Sequence, residues 1–182
     1  MKKIQQTSKF FRILFQIVFF TLPALYLISW MNGGEAIVWG TKSSLALYPF
    51  PRVLGLSYVL TTKTLIFGML TSLITLLPKM FLFYFLIMLF RSYERGNIFS
   101  LENVMTIKKV GIMLIVTQVA NVIFDVLISL VMTMNNPPGY HMIGLHLATN
   151  NLGIALIGAV IILVSWIMAE GYKLHVDQEL TV

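Results

Sequence analysis

Lys79 and Asp125 are the two residues whose placement most demands an explanation. Each is the sole charge in a long apolar run, Lys79 between Lys63 and Arg91 and Asp125 between Val110 and Met134. A bare charge at mid-bilayer costs at least a few kcal/mol. Counting about 1.5 Å per helical residue from the basic ends of their runs places the two Cα atoms at depths of roughly 17 and 22 Å, a gap a lysine can bridge. The spacing therefore predicts a Lys79–Asp125 pair across adjacent antiparallel helices. Each residue also continues a polar stripe. Gly68, Ser72, Thr75 and Lys79 share one helical face, and Gln118, Asn121, Asp125 and Ser129 share another. Lys79, Asp125, Asn121, Gln118 and Thr75 thus form the expected intramembrane polar site. Two uses are open: a structural clamp with polar side chains as interhelical glue, or a proton- or ligand-responsive switch.

The clamp can be tested directly. Lys79→Met and Asp125→Asn should each lower thermal stability in detergent, because each strands the opposite charge. The double mutant should lose less than the sum. Strictly additive losses would mean that the two side chains never meet.

Other chemistry has little to work with. Asp125 has no second acid or nucleophile beside it, and neither a Gly-rich phosphate loop nor a Ser/His/Asp order occurs. His141 and His146 share no helical face, and no cysteine exists to complete a metal site. The chain is expected to be no enzyme and to need no cofactor or metal.

The elements that must position these residues are transmembrane helices. Of the 182 residues, 58% are hydrophobic and 11% charged, with a mean hydropathy of +0.85, too few charges to cover a domain in water. The net charge of +6 does not imply nucleic acid, because the cations stand at the ends of apolar runs rather than on one face. Four stretches reach the roughly 20 residues needed to cross hydrocarbon, about 13–31, 65–90, 110–134 and 152–169. A spanning segment must satisfy its own backbone, so all four are helices. The first run is too long for a signal h-region and is expected to stay uncleaved. The expected fold is an all-α, single-domain, four-helix membrane bundle over residues 1–182.

Lysine and arginine asymmetry orients it. Lys2, Lys3, Lys9, Arg12, Arg91, Arg95, Lys108, Lys109 and Lys173 would lie on one side, against Lys42, Arg52 and Lys63 on the other. Nine against three places both termini and the middle connection in the cytoplasm. In that connection Gly96 can end helix two in the left-handed conformation and Ser100 can N-cap helix three, with Glu102 in its first turn. On the outer side, Ala36 to Trp39 and Val53 to Leu60 could pair as short strands or lie at the interface, and Tyr140 to Leu147 could join them in a small cap. Kinks are expected at Pro23 and Pro78. Gly153, Gly158 and their small neighbours favour close packing of helix four, within one protomer or in a homo-oligomer.

Gly96, Ile98, Phe99, Ser100 and Asn103, followed by Val110-Gly111, resemble the middle-loop signature of a bacterial membrane family, number 2975 among the domains of unknown function. The ending, Glu170-Gly171, Leu174 and Glu179-Leu180-Thr181-Val182, is similar to that family's terminal motif. Lys108-Lys109-Val110 departs from the more usual Arg-rich, Ile-containing version but keeps the charge. The resemblance implies a protein found beside small helix-turn-helix regulators, and hence a membrane partner for a transcription factor.

The reading is a multi-pass protein of the bacterial inner membrane, a sensor or anchor that binds such a regulator in the cytoplasm and makes no direct contact with nucleic acid. Its partner-binding residues would be Gly96, Phe99, Ser100, Asn103, Glu170, Glu179, Leu180, Thr181 and Val182. The alternative is a small transporter or channel component using a polar seam between helices two and three.

Overall fold

In a computed structural model the described residues form four α-helices: α1 Lys2–Met31, α2 Thr62–Glu94, α3 Leu101–Thr133 and α4 Thr149–Leu180. The structure describes residues 2–31, 61–98, 100–139, 141, 143–144 and 149–180, and for 2, 31, 149–150 and 175–180 the backbone alone. No strand occurs among the described residues. The expected strands over 36–39 and 53–60 lie outside them, as does most of 140–147.

All four helices outrun the stretches read from hydropathy. They contain 30, 33, 33 and 32 residues. At 1.5 Å per residue that is about 45–50 Å, against a hydrocarbon core of about 30 Å. Hydropathy marks only the charge-free middle of each helix, while the backbone ladder continues into flanks where water accepts the charges. Each helix contains a stretch long and apolar enough to cross a membrane. Helical structure continues through Pro23 in α1 and Pro78 in α2.

The chain divides into two compact units. The first comprises Met1–Phe19, Pro78–Gln118 and Ala148–Val182. Here α1 and α2 run antiparallel: Phe11 and Phe15 pack against Phe90 with ring centroids 5.3 and 5.5 Å apart, and Phe15 against Phe83 at 6.1 Å. Beyond the rings, Arg12 Nε lies 2.7 Å from Glu94 Oε2, and its Nη2 donates to Oε1 at 3.4 Å. On the next side α3 crosses α4 at two glycines. A Cβ placed on Gly158 would meet the Gly111 carbonyl oxygen at 2.8 Å, and one on Gly111 would meet that of Gly158 at the same distance. Without Cβ atoms the two backbones come within reach of each other, gaining dispersion contact where lipid offers no hydrophobic drive.

The second unit comprises Phe20–Leu77 and Val119–Leu147. Its described core includes Tyr26, Trp30, Leu76, Phe124, Ile128 and Met132, all buried. Carbons of the Trp30 benzo ring crowd Gly68, so any side chain there would overlap them. Its indole donates to Ser72 Oγ at 2.8 Å, and the Tyr26 hydroxyl pairs with Thr75 Oγ1 at 3.3 Å. Asn135, just beyond α3, donates to Thr61 and Thr64 Oγ1 at 2.9 and 2.7 Å, which ties the end of α3 to the start of α2.

Candidate functional site

Within the first unit, three things converge at one end: the start of α1, the α2–α3 connection and the carboxyl half of α4. The connection is built by local chemistry. Gly96 has φ of +89°, a conformation that costs other L-residues strain. The nearest atom to a Cβ there is Gln5 Nε2 at 3.5 Å, so conformation rather than space requires glycine. Ser100 Oγ accepts from the Asn103 backbone N–H at 3.2 Å, an N-cap that satisfies one of the first orphan donors of α3. Glu102 stands in that first turn, where the helix dipole favours a negative charge.

Asn103, expected as a docking residue, is buried in this connection. It is 2% exposed, and its side-chain amide donates to the carbonyls of Asn97 and Ile98 at 2.5 and 3.1 Å. Asn103 therefore shapes the connection from inside. Asn103→Leu removes both donations, but the Asn97 carbonyl keeps a hydrogen bond from Ser92 Oγ at 3.2 Å, so the expected cost is about 1 kcal/mol, the usual net worth of a hydrogen bond. A thermal melt in detergent would show it; an unchanged midpoint would mean that the connection holds without the clamp.

The direction of α4 follows from its crossing with α3. Gly111 sits against Ile162 and Gly158, and Gly158 also against Leu114 and Ile115, so the two helices run antiparallel. Leu180 lies roughly 27 Å along α4 from Ile162, whereas Leu101 lies only about 15 Å along α3 from Gly111. By this count α4 passes the α2–α3 connection by roughly 12 Å. On its described portion Glu170 and Lys173 are exposed and paired with each other at 3.1 Å. Glu179 and Leu180 belong to the last turn of this helix. Phe99, Thr181 and Val182 lie outside the described residues.

The expected intramembrane site divides between the units. Lys79 and Gln118 belong to the first unit, and Thr75, Asn121 and Asp125 to the second. Gln118 and Thr75 are buried; Lys79, Asn121 and Asp125 are half-buried. Of the stripe on α2, Gly68, Ser72 and Thr75 are buried, while Ile66, Phe67, Leu70 and Leu73 are exposed. Ser72, Thr75, Thr117, Ser129 and Thr133 each donate a hydroxyl proton to a carbonyl three or four residues back. Such back-bonding satisfies a hydroxyl within its own helix.

Two features of the second unit escaped sequence reasoning. Trp30 and Tyr26 on α1 supply the partners of Ser72 and Thr75. The α3–α4 connection also turns back on α3: Gly144 N–H donates to the buried Ser129 Oγ at 2.9 Å, one turn inside the end of the helix. His141 Nδ1 lies 2.9 Å from the Thr133 carbonyl oxygen. A carbonyl only accepts, so Nδ1 carries the proton. His146 lies outside the described residues. The aromatic donors could have been sought at the carboxyl end of α1, but nothing in the spacing of Gly144 announces its return.

Four helices of this length and apolarity, with exposed apolar side chains along their outer faces, define a multi-pass membrane protein. The chain belongs to the family described as protein of unknown function, DUF2975, whose model matches residues 36–182. The match takes in α2, α3 and α4. No curated protein and no solved structure matches the chain.

Proposed function

We propose that this protein is a bacterial inner-membrane anchor, or sensor, that holds a small cytoplasmic helix-turn-helix regulator on the end of the first unit. The observation that carries this reading is the overhang of α4 beyond the α2–α3 connection. A helix that only crossed the bilayer would not need to continue to Leu180. Asp177 and Glu179 outnumber Lys173 on that stretch, so it offers net negative charge to a protein whose DNA-binding face is basic. Occupying that face also keeps the regulator from DNA. The capped connection, with Gly96, Ser100 and Asn103 holding its shape, is a rigid neighbour against which a partner can register.

The transporter reading needs polar side chains free to line a water path. Ser72 and Thr75 are instead engaged by Trp30 and Tyr26 of α1, which weighs for interhelical glue. The test is affinity purification from membranes. A helix-turn-helix protein should co-purify with the full chain, and deletion of residues 177–182 should lower its recovery at least tenfold without lowering membrane insertion. Undiminished recovery after the deletion would refute docking on α4.

A further inference from the structure

We propose that α1, α2 and α3 form a hinge where they pass from one unit to the other, with Pro23 and Pro78 as its joints. The passages fall at Phe19–Phe20 in α1, Leu77–Pro78 in α2 and Gln118–Val119 in α3. An α-helix is held across any such point by N–H groups that reach back four residues. Pro23 has no N–H to give to the Phe19 carbonyl, and Pro78 has none for that of Ile74. Each missing bond spans the point at which its helix changes unit. Proline is also where sharp bends in helices occur.

Two further observations agree. Tyr26 pairs with Thr75, and α1 and α2 run antiparallel. Pro23 lies three residues before Tyr26 and Pro78 three after Thr75, so both joints stand at one level of the pair. Prolines placed for the packing of either helix alone would have no reason to coincide. The third passage has no proline, but its ladder is shared with side chains. Thr117 Oγ1 donates to the Met113 carbonyl at 2.7 Å, and Gln118 Nε2 to that of Leu114 at 3.5 Å. Side chains that bond back in this way compete with the ladder and favour bending.

α4 supplies the output. It belongs wholly to the first unit and contains no proline. The connection that leads into it is held to α3 of the second unit, by Gly144 on Ser129 and His141 on Thr133. A bend at the joints therefore moves the start of α4, and a continuous helix carries that motion to its far end. The use of the hinge rests on the sensor form of the reading above, because it links the second unit to the docking end. Its existence does not require a regulator.

The experiment uses the full chain in lipid. No cysteine occurs in the sequence, so introduced pairs can carry spin labels whose spread of distances is measured by pulsed dipolar spectroscopy. Arg95→Cys with Leu130→Cys crosses the joints. Arg95→Cys with Ile112→Cys stays within the first unit, and Lys63→Cys with Ile123→Cys within the second. All five positions are exposed. The crossing pair should show a distribution roughly twice as broad as either internal pair. Pro23→Ala with Pro78→Ala restores both N–H groups and should narrow the crossing pair to their width, with the internal pairs unchanged. Equal widths for all three pairs in the parent would overturn the hinge. So would an unaltered crossing width in the alanine variant. Internal pairs shifted by the alanines would overturn it as well, since the prolines would then be packing features of the units. The distances are measured without a regulator, so they test the hinge and leave docking to the co-purification.

Discussion

Gly158→Leu is expected to unlock α4 from α3 and to destabilise the first unit more than any other single change on these two helices. A Cβ alone would approach the Gly111 carbonyl oxygen to 2.8 Å and Ile115 Cγ1 to 3.0 Å, and leucine adds three more carbons beyond it. Backbone oxygen cannot rotate away as a side chain can, so the helices must separate along the crossing. Overpacking a close site commonly costs about 1–3 kcal/mol, occasionally more, and this position lies at the upper end because the obstruction is backbone. Gly153→Leu, about one and a half turns earlier on the same helix, is the control. No atom of the described residues lies within 4 Å of a Cβ at that position, so its melting midpoint should move little. Equal losses from the two substitutions would mean that leucine harms α4 by itself and that the glycine crossing is not a tight contact. Gly111→Ala should show the same clash from the other side. The double alanine variant should be less than additive, because the first separation relieves the second.

Gly68→Ala should disturb the second unit through Trp30. The added methyl would overlap the indole ring, and the ring cannot yield without losing its hydrogen bond to Ser72. Two costs then combine, overpacking of about 1–3 kcal/mol and a buried donor or acceptor left unmet at about 1–3 kcal/mol. Trp30→Phe makes the space and gives up the hydrogen bond in advance. Gly68→Ala should therefore cost much less in a Trp30→Phe background than in the parent, read as a shift in thermal midpoint. Full additivity would place the cost of Gly68→Ala somewhere other than the ring.

Both predictions rest on contacts between residues far apart in the chain, and this is where the sequence ran out. Gly111 and Gly158 stood out as glycines in apolar helices, but nothing in the spacing of either identifies the other. Arg12 and Glu94 are 82 residues apart, and Trp30 and Ser72 are 42 apart. In a water-soluble protein an apolar stripe marks the face turned inward. Lipid removes that cue. Leu156 at 68% exposure and Val160 at 58% are as apolar as the buried Ile128 and Met132, so periodicity cannot distinguish lipid-facing from core residues. Only polar side chains retain directional information, because lipid penalises them, and Ser72 and Thr75 are buried on the stripe their spacing defined.

What the chain's own order determined is local or solvent-imposed. Four apolar stretches had to become helices, because a backbone in hydrocarbon has no water to satisfy it. Gly96 and Ser100 had to turn one helix into the next, because a left-handed residue and an N-cap act within three or four positions of themselves, as φ of +89° at Gly96 and the Ser100–Asn103 hydrogen bond record. Tertiary structure alone decided which glycine meets which, which carboxylate takes Arg12, that Asn103 turns inward, and how far α4 outruns its neighbours. Those outcomes depend on shape matching between helices whose surfaces are chemically alike. Close packing settles such choices at distances of a few ångströms, below anything a pattern of residue types can resolve.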